Sequence, residues 1–81
     1  MLPKSLVDFI LYGGELFTAI EVKNTKVTKP ADFRGLKSFG EDYPEAKLIL
    51  LYRGNVPMKH RNILIIPVDL FLKKPIDFLI N

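Results

Sequence analysis

Three ionisable side chains near the start of the chain could together bind a metal ion. Asp8 lies on one apolar segment, and Glu21 and Lys23 lie on the next. Carboxylate oxygens suit Mg²⁺ or Mn²⁺, which usually keep several bound waters for a substrate and a nucleophile. The alternative is that Glu21 and Lys23 are simply solvent-exposed charges, since such pairs two positions apart are common on exposed strand faces. Because Phe17–Lys23 is otherwise strongly apolar, an unpaired charge there would be costly, which favours a functional role.

The two segments that carry these residues predict a β-hairpin. Leu6–Tyr12 and Leu16–Lys23 are rich in β-branched and aromatic residues, as strands are. Gly13-Gly14 between them is expected to form a two-residue type I′ or II′ loop. With that loop, Tyr12 faces Glu15 across the hairpin.

This register predicts that the three ionisable side chains share one face of the hairpin. Asp8 then lies opposite Ala19, and Glu21 is its diagonal neighbour at a Cα separation of roughly 7 to 8 Å. Side chains alternate along a strand, so Lys23 lies on the face that carries Glu21. The expectation is a pair of carboxylates that converge on one divalent cation, with a lysine beside them.

The rest of the chain predicts an α/β fold with a mixed sheet. A helix should be followed by a strand buried on both faces, then by a further short strand and two short C-terminal helical segments that cover an open face. A strand–helix–strand crossover is almost always right-handed and parallel, so strands 16–23 and 46–52 should be parallel. The predicted elements are Ala31–Asp42 (helix), Ala46–Tyr52 and Ile63–Pro67 (strands), and Val68–Leu72 and Pro75–Ile80 (helical).

Length and composition limit the remaining possibilities. The 81 residues suffice for one domain, 1–81, and at 48% hydrophobic and 26% charged they should fold. The absence of cysteine excludes disulfides and Cys-rich zinc sites. The apolar runs are far shorter than the ~18 residues of a membrane span, and no export signal is recognisable, so a soluble cytoplasmic protein is expected.

A mild excess of positive charge permits an anionic partner. The net charge is +3, and the sequence has a pI near 9.3. Lys26, Arg53, Lys59 and Arg61 are candidates for contacts with nucleic-acid phosphates, since the last three lie in or next to the segment 54–62. The alternative is that these residues belong to a solvated loop, and no aromatic residue is interleaved with them as in many single-strand binders.

The order of these motifs resembles a known superfamily. Val7-Asp8-Phe9-Ile10, followed by a hairpin and Ala19-Ile20-Glu21-Val22-Lys23-Asn24, is similar to the Asp…Glu-x-Lys signature of the PD-(D/E)XK, restriction-endonuclease-like superfamily. Further along, the segments 32–39, 47–52 and 63–72 resemble the C-terminal nuclease-like domain of a prokaryotic AAA-type ATPase family of unknown function. The implied fold is a minimal restriction-endonuclease-like core that lacks the usual N-terminal helix and first strand.

The resemblance implies a function and roles for individual residues. Asp8 and Glu21 would be metal ligands, with the Val22 carbonyl as a third ligand, and Lys23 would orient or activate the attacking water. With Mg²⁺ or Mn²⁺ bound, such a site hydrolyses DNA phosphodiester bonds.

A second hypothesis belongs to another class of function. The chain has no Gly-x-x-x-x-Gly-Lys-Ser/Thr motif, so it cannot hydrolyse nucleotides as a P-loop ATPase by itself. It could be a non-catalytic remnant that docks onto an ATPase or another partner. Its first strand would be an exposed apolar edge, which predicts a homodimer.

Overall fold

The computed structural model describes residues 7–80, and these form a five-stranded mixed sheet with helices on both faces. The spatial order of the strands is β1-β2-β3-β5-β4. The α/β class, the N-terminal hairpin and the C-terminal helices are as predicted. The strands are β1 (Phe9–Gly13), β2 (Leu16–Val22), β3 (Lys47–Tyr52), β4 (Met58–His60) and β5 (Ile63–Pro67); the helices are α1 (Arg34–Asp42), α2 (Val68–Lys73) and α3 (Pro75–Leu79), and a 3₁₀ helix (Pro30–Phe33) precedes α1.

The central strands confirm the predicted crossover. β2 and β3 are parallel and are connected through α1, and β3 is also parallel to β5. From Leu48 to Tyr52, β3 is buried throughout, because it lies in the middle of the sheet with helices on either side. The carboxyl ends of β2, β3 and β5 therefore lie at the same edge of the sheet.

Each face of the sheet carries its own hydrophobic core. On the face that we call the α1 face, Ala19 and Leu50 pack with Leu36 and Phe39 of the helix. On the opposite face, which we call the α2/α3 face, a smaller core is packed against the two C-terminal helices. This second core confirms that the C-terminal helical segments cover a face that would otherwise be open.

The hairpin differs from its predicted register. Gly13 belongs to β1 and pairs with Leu16, so the two-residue loop is Gly14-Glu15 rather than Gly13-Gly14. Gly14 has a φ of 58°, which glycine adopts without steric cost at the first position of a tight hairpin loop. Tyr12 consequently lies opposite Phe17, not Glu15, and the two rings meet edge to face at 5.1 Å.

This shift does not change which side chains share a face. Ile10, rather than Asp8, lies opposite Ala19. The partner of each β1 residue lies two positions further along β2 than predicted. Side chains alternate between the faces with a period of two, so this shift leaves every side chain on its predicted face.

Two boundaries at the edges of the sheet also differ from prediction. β1 begins at Phe9 rather than Leu6; Leu6 lies outside the described residues, and Val7 packs into the α1-face core without joining the ladder.

The segment 54–62, expected to be a loop, contains β4. All three β4 residues are exposed, so no alternating pattern indicated a strand; β4 pairs with β5, and the ring of His60 stacks on Phe33 at 4.5 Å.

The start of the crossover helix is more complex than a single predicted helix. The predicted segment 31–42 is divided into the 3₁₀ helix and α1, with Pro30 as the first residue of the 3₁₀ helix. The Asp32 carboxylate accepts a hydrogen bond from the Lys29 N–H at 2.8 Å, which satisfies a donor that the helix leaves without a partner.

Among residues 7–80, no helix is both long enough and apolar enough to cross a membrane.

A buried hydroxyl of β2 provides a test of the sheet packing. The Oγ1 atom of Thr18 is buried and has no hydrogen-bond partner in the part of the chain that the structure describes. Replacing Thr18 with valine keeps the shape and removes the unsatisfied group, so we expect the free energy of unfolding to rise by about 1 kcal/mol. Urea denaturation measures this change. Thr18→Ser, which keeps the hydroxyl and loses the methyl group, should be less stable than wild type, and a destabilised valine variant would contradict the packing described.

Candidate functional site

Asp8 closes the open end of the hairpin with both its backbone and its side chain. Its N–H donates to the Ile20 carbonyl at 3.1 Å, and its Oδ2 accepts a hydrogen bond from the Val22 N–H at 2.8 Å. The carboxylate takes the place of a backbone acceptor just beyond the last pair of the ladder. This bond fixes the orientation of the carboxylate, and Oδ1 retains its capacity to accept.

Glu21 is a largely buried carboxylate on the α1 face. Its side chain is only 12% exposed, and the neighbouring residue on β3 is the fully buried Leu50. Oε2 lies 3.6 Å from the Lys23 Nζ, whereas Oε1 is buried and has no hydrogen-bond partner among residues 7–80. Buried polar atoms in folded proteins are generally paired, so an orphaned carboxylate oxygen is unusual.

The surroundings of Glu21 disfavour its ionised form. Burial raises the pKa of Glu21 above its usual range, and the negative charges of Asp8 and Asp32 raise it further, while the Lys23 ammonium opposes the shift. The net direction is upward. Asp32 is an acidic neighbour of the site that the sequence did not indicate, because its position in a first helical turn already explained its type.

The backbone of Val22, which lies between Glu21 and Lys23, is directed towards Asp8. The Val22 N–H donates to Asp8, and the next residue, Lys23, donates its N–H in the opposite direction to the Leu51 carbonyl of β3. In a β-strand the N–H and C=O of one residue point to the same side, so the Val22 carbonyl is directed towards the Asp8 side of the hairpin. Two carboxylates and one carbonyl thus lie at one corner of the sheet.

This corner of the sheet offers few protein atoms that could ligate a metal ion. Within residues 7–80, no group of three or more His, Cys, Asp or Glu side chains is arranged to hold a metal ion. Any ion at the corner would therefore be held by Asp8, Glu21 and backbone oxygen, and would complete its coordination with water. Mg²⁺ is commonly bound in this way, through one or two carboxylates.

The four basic candidates are divided between different parts of the sheet. Lys26 and Arg53 follow β2 and β3, at the carboxyl edge where Glu21 and Lys23 lie. They line one groove there. Ligands of open α/β sheets generally bind beyond this edge.

The other two candidates lie away from that edge. Lys59 pairs with Leu64 on the outermost strand and therefore points to the α2/α3 face, away from Glu21. Arg61, with a φ of 55°, forms the turn that precedes β5, at the amino edge of the parallel strands.

The fold and the corner together define an α/β domain with a carboxylate pair and an adjacent lysine at the carboxyl edge of its sheet. The chain belongs to the family described as Domain of unknown function (DUF4143), which matches residues 4–71. Domains of this family are often found alongside AAA ATPases. No curated protein and no solved structure matches the chain. The family description assigns no activity, so the superfamily resemblance bears on function only as a proposal.

Proposed function

We propose that this domain is a nuclease-type module that hydrolyses DNA phosphodiester bonds with Mg²⁺ or Mn²⁺. The observation that carries the proposal is the buried Oε1 of Glu21. This atom has no hydrogen-bond partner among residues 7–80, although Lys23 and Asp8 are close to the carboxylate. A divalent cation would satisfy this atom and would remove the unfavourable charge. The donor set of Asp8, Glu21 and the Val22 carbonyl suits such an ion, because all its atoms are hard oxygens.

Each residue of the corner has a distinct task in this proposal. The bound cation would acidify its water and neutralise charge on the phosphodiester. Asp8 and Glu21 hold the ion, and the Val22 N–H keeps the Asp8 carboxylate in position. Lys23, whose Nζ lies 3.6 Å from the Glu21 carboxylate, holds a water or phosphate oxygen next to the reacting atom and stabilises its negative charge.

The test combines metal binding with DNA cleavage. Purified protein is titrated with Mn²⁺ in a calorimeter and is incubated with plasmid DNA in Mg²⁺ or Mn²⁺. We expect one Mn²⁺ site and cleavage in wild type. Glu21→Ala should lose both, whereas Lys23→Ala should keep the metal and lose cleavage. Wild-type protein with neither metal binding nor cleavage would overturn the proposal.

A different class of function is favoured by the outer edge of β1. Among residues 7–80, this strand pairs only with β2, and Tyr12 on it is 81% exposed. Unpaired edge strands readily pair with another strand, and two copies of β1 could pair antiparallel about a two-fold axis. In this alternative the domain is a non-catalytic interaction module, either a homodimer or a docking partner of an ATPase.

Light scattering at micromolar concentration tests the homodimer. We expect a species of twice the 9.3 kDa chain mass. Tyr12→Lys adds an edge charge of the kind that blocks strand pairing and should yield monomer. Ile76→Lys places the same charge on an exposed residue of α3 and should leave the dimer intact. A wild-type protein of 9.3 kDa alone would contradict the homodimer.

A further inference from the structure

A groove of about 520 Å³ lies beside the carboxyl edge of the sheet. Its walls are the segment after β2, which includes Lys26 and Val27, and the connection from Arg53 to Met58, the first residue of β4. Two cationic side chains line it, and no acidic residue does. The groove thus has a positive character that the rest of this sheet edge, with Asp8 and Glu21, does not share.

Arg53 is held in place without losing its charge. Its N–H donates to the Thr25 carbonyl at 2.8 Å, and its Nη1 donates to the Asn24 Oδ1 at 3.0 Å. Asparagine is neutral, so the bond orients the guanidinium and leaves its positive charge uncompensated. Within residues 7–80, neither Arg53 nor Lys26 forms an ion pair. A preorganised arginine of this kind suits the oxygens of a phosphate.

The groove also exposes apolar side chains between its cations. Val27 is 73% exposed, and Val56 and Met58 on the opposite wall are exposed as well. A ligand that matches both features carries negative charges and flat apolar surfaces at short intervals. Unpaired nucleotides do so through their phosphates and base faces, whereas a duplex keeps its base faces stacked inside.

The groove lies at the same edge of the sheet as the carboxylate corner. Arg53 lines the groove and also lines, with Lys23, a smaller cavity of about 220 Å³. The backbone bond from Arg53 to Thr25 ties the two walls together at this point. A chain bound in the groove would therefore lie close to Lys23, the lysine of the proposed cleavage site.

We propose that the groove binds a single strand of nucleic acid, with Lys26 and Arg53 on its phosphates and Val27, Val56 and Met58 against its unpaired bases. This inference rests on the proposed nuclease function for its orientation towards Glu21, and it names the form of the substrate. Lys59 and Arg61 take no part, because they lie on the other face and at the other end of the sheet.

Binding without metal separates this inference from the proposed catalysis. The anisotropy of a fluorescent 20-nucleotide single strand is followed in EDTA, with the blunt duplex of the same sequence as comparison. We expect wild type to prefer the single strand. Lys26→Gln/Arg53→Gln should weaken binding at least about tenfold and reduce the salt slope, since each lost phosphate contact lowers that slope by ~0.7 for single strands. Lys59→Gln/Arg61→Gln removes the same charge and should change affinity less than about twofold.

Each other outcome overturns the inference. Absence of binding by wild type, tighter binding of the duplex, or equal losses in the two double variants would all contradict a single-strand groove. So would full competition by poly-glutamate, since it would show that charge alone is recognised. If binding follows the expected pattern but wild type fails to cleave in Mg²⁺ or Mn²⁺, the groove stands and the nuclease proposal fails.

Discussion

Replacing Glu21 with glutamine is expected to abolish metal-dependent cleavage and at the same time to stabilise the domain. Glutamine is neutral and is a weaker ligand, so cleavage should fall by roughly a thousandfold, which corresponds to about 4 kcal/mol of transition-state stabilisation. The same substitution removes a buried charge whose Oε1 has no partner. If the Glu21–Lys23 pair were only structural, Glu21→Gln would destabilise the domain. Loss of cleavage together with a gain in stability would therefore identify Glu21 as a residue kept for function.

The stability gain should depend on pH in a defined direction. Burial raises the folded-state pKa of Glu21 above its unfolded value, so the native state binds the proton more tightly. Wild-type stability therefore falls as pH rises from the usual carboxylate range through the raised pKa. Glu21→Gln carries no such proton, and we expect it to be about 1 kcal/mol more stable than wild type at pH 7, after the loss of the Lys23 pair is included.

Urea denaturation at pH 7 and pH 3 measures this effect. The difference between variant and wild type should largely disappear at pH 3, where Glu21 is protonated in both states. Glu15→Gln is the matched control: Glu15 is exposed in the hairpin loop, and its change should alter neither cleavage nor stability by more than about 0.5 kcal/mol. Full cleavage by Glu21→Gln would exclude Glu21 as an essential ligand, and a variant less stable than wild type at pH 7 would contradict the account of its burial.

Replacing Leu36 with alanine is expected to remove most of the stability of the domain. Leu36 has no solvent exposure and lies on α1 between Phe33 and Phe39, where it fills the α1-face core. Removing a buried leucine side chain typically costs 2 to 5 kcal/mol, through lost burial and the remaining cavity, so we expect about 3 kcal/mol. A domain of this size rarely has more than roughly 3 to 5 kcal/mol of stability in total.

Leu72 provides the control for this prediction. It is also a helical leucine, on α2, but it is 69% exposed, so Leu72→Ala should change stability by less than about 0.5 kcal/mol. Thermal denaturation followed by circular dichroism distinguishes the two variants. Equal and small effects would show that α1 does not pack on the sheet as described.

Local sequence patterns were sufficient for the middle of the fold. β3 and β5 are uninterrupted apolar runs bounded by turn residues, and α1 has its apolar residues at helical spacing. The parallel direction of the two crossover strands follows from general chain geometry. The shared face of Glu21 and Lys23 was equally predictable, because strand side chains alternate whatever the register.

Two features depended on contacts between neighbouring strands. The hairpin register was decided by the backbone conformation of Gly14 and by the pairing of Tyr12 with Phe17. β4 exists because the edge of β5 offers it hydrogen bonds, since its own residues are exposed and show no pattern. Such cross-strand pairings depend on what the neighbouring strand offers, so the propensity of the segment itself does not specify them.

The sequence by itself determined which residue types could perform chemistry and that two of them share a face. Only the tertiary structure decided that Glu21 is buried with one oxygen unpaired among the described residues, that Asp8 is anchored by the Val22 N–H, and that Arg53 and Lys23 line the same small cavity. The physical reason is that residue type and alternation are properties of the chain, whereas burial and electrostatic environment are created by the elements that pack around a residue.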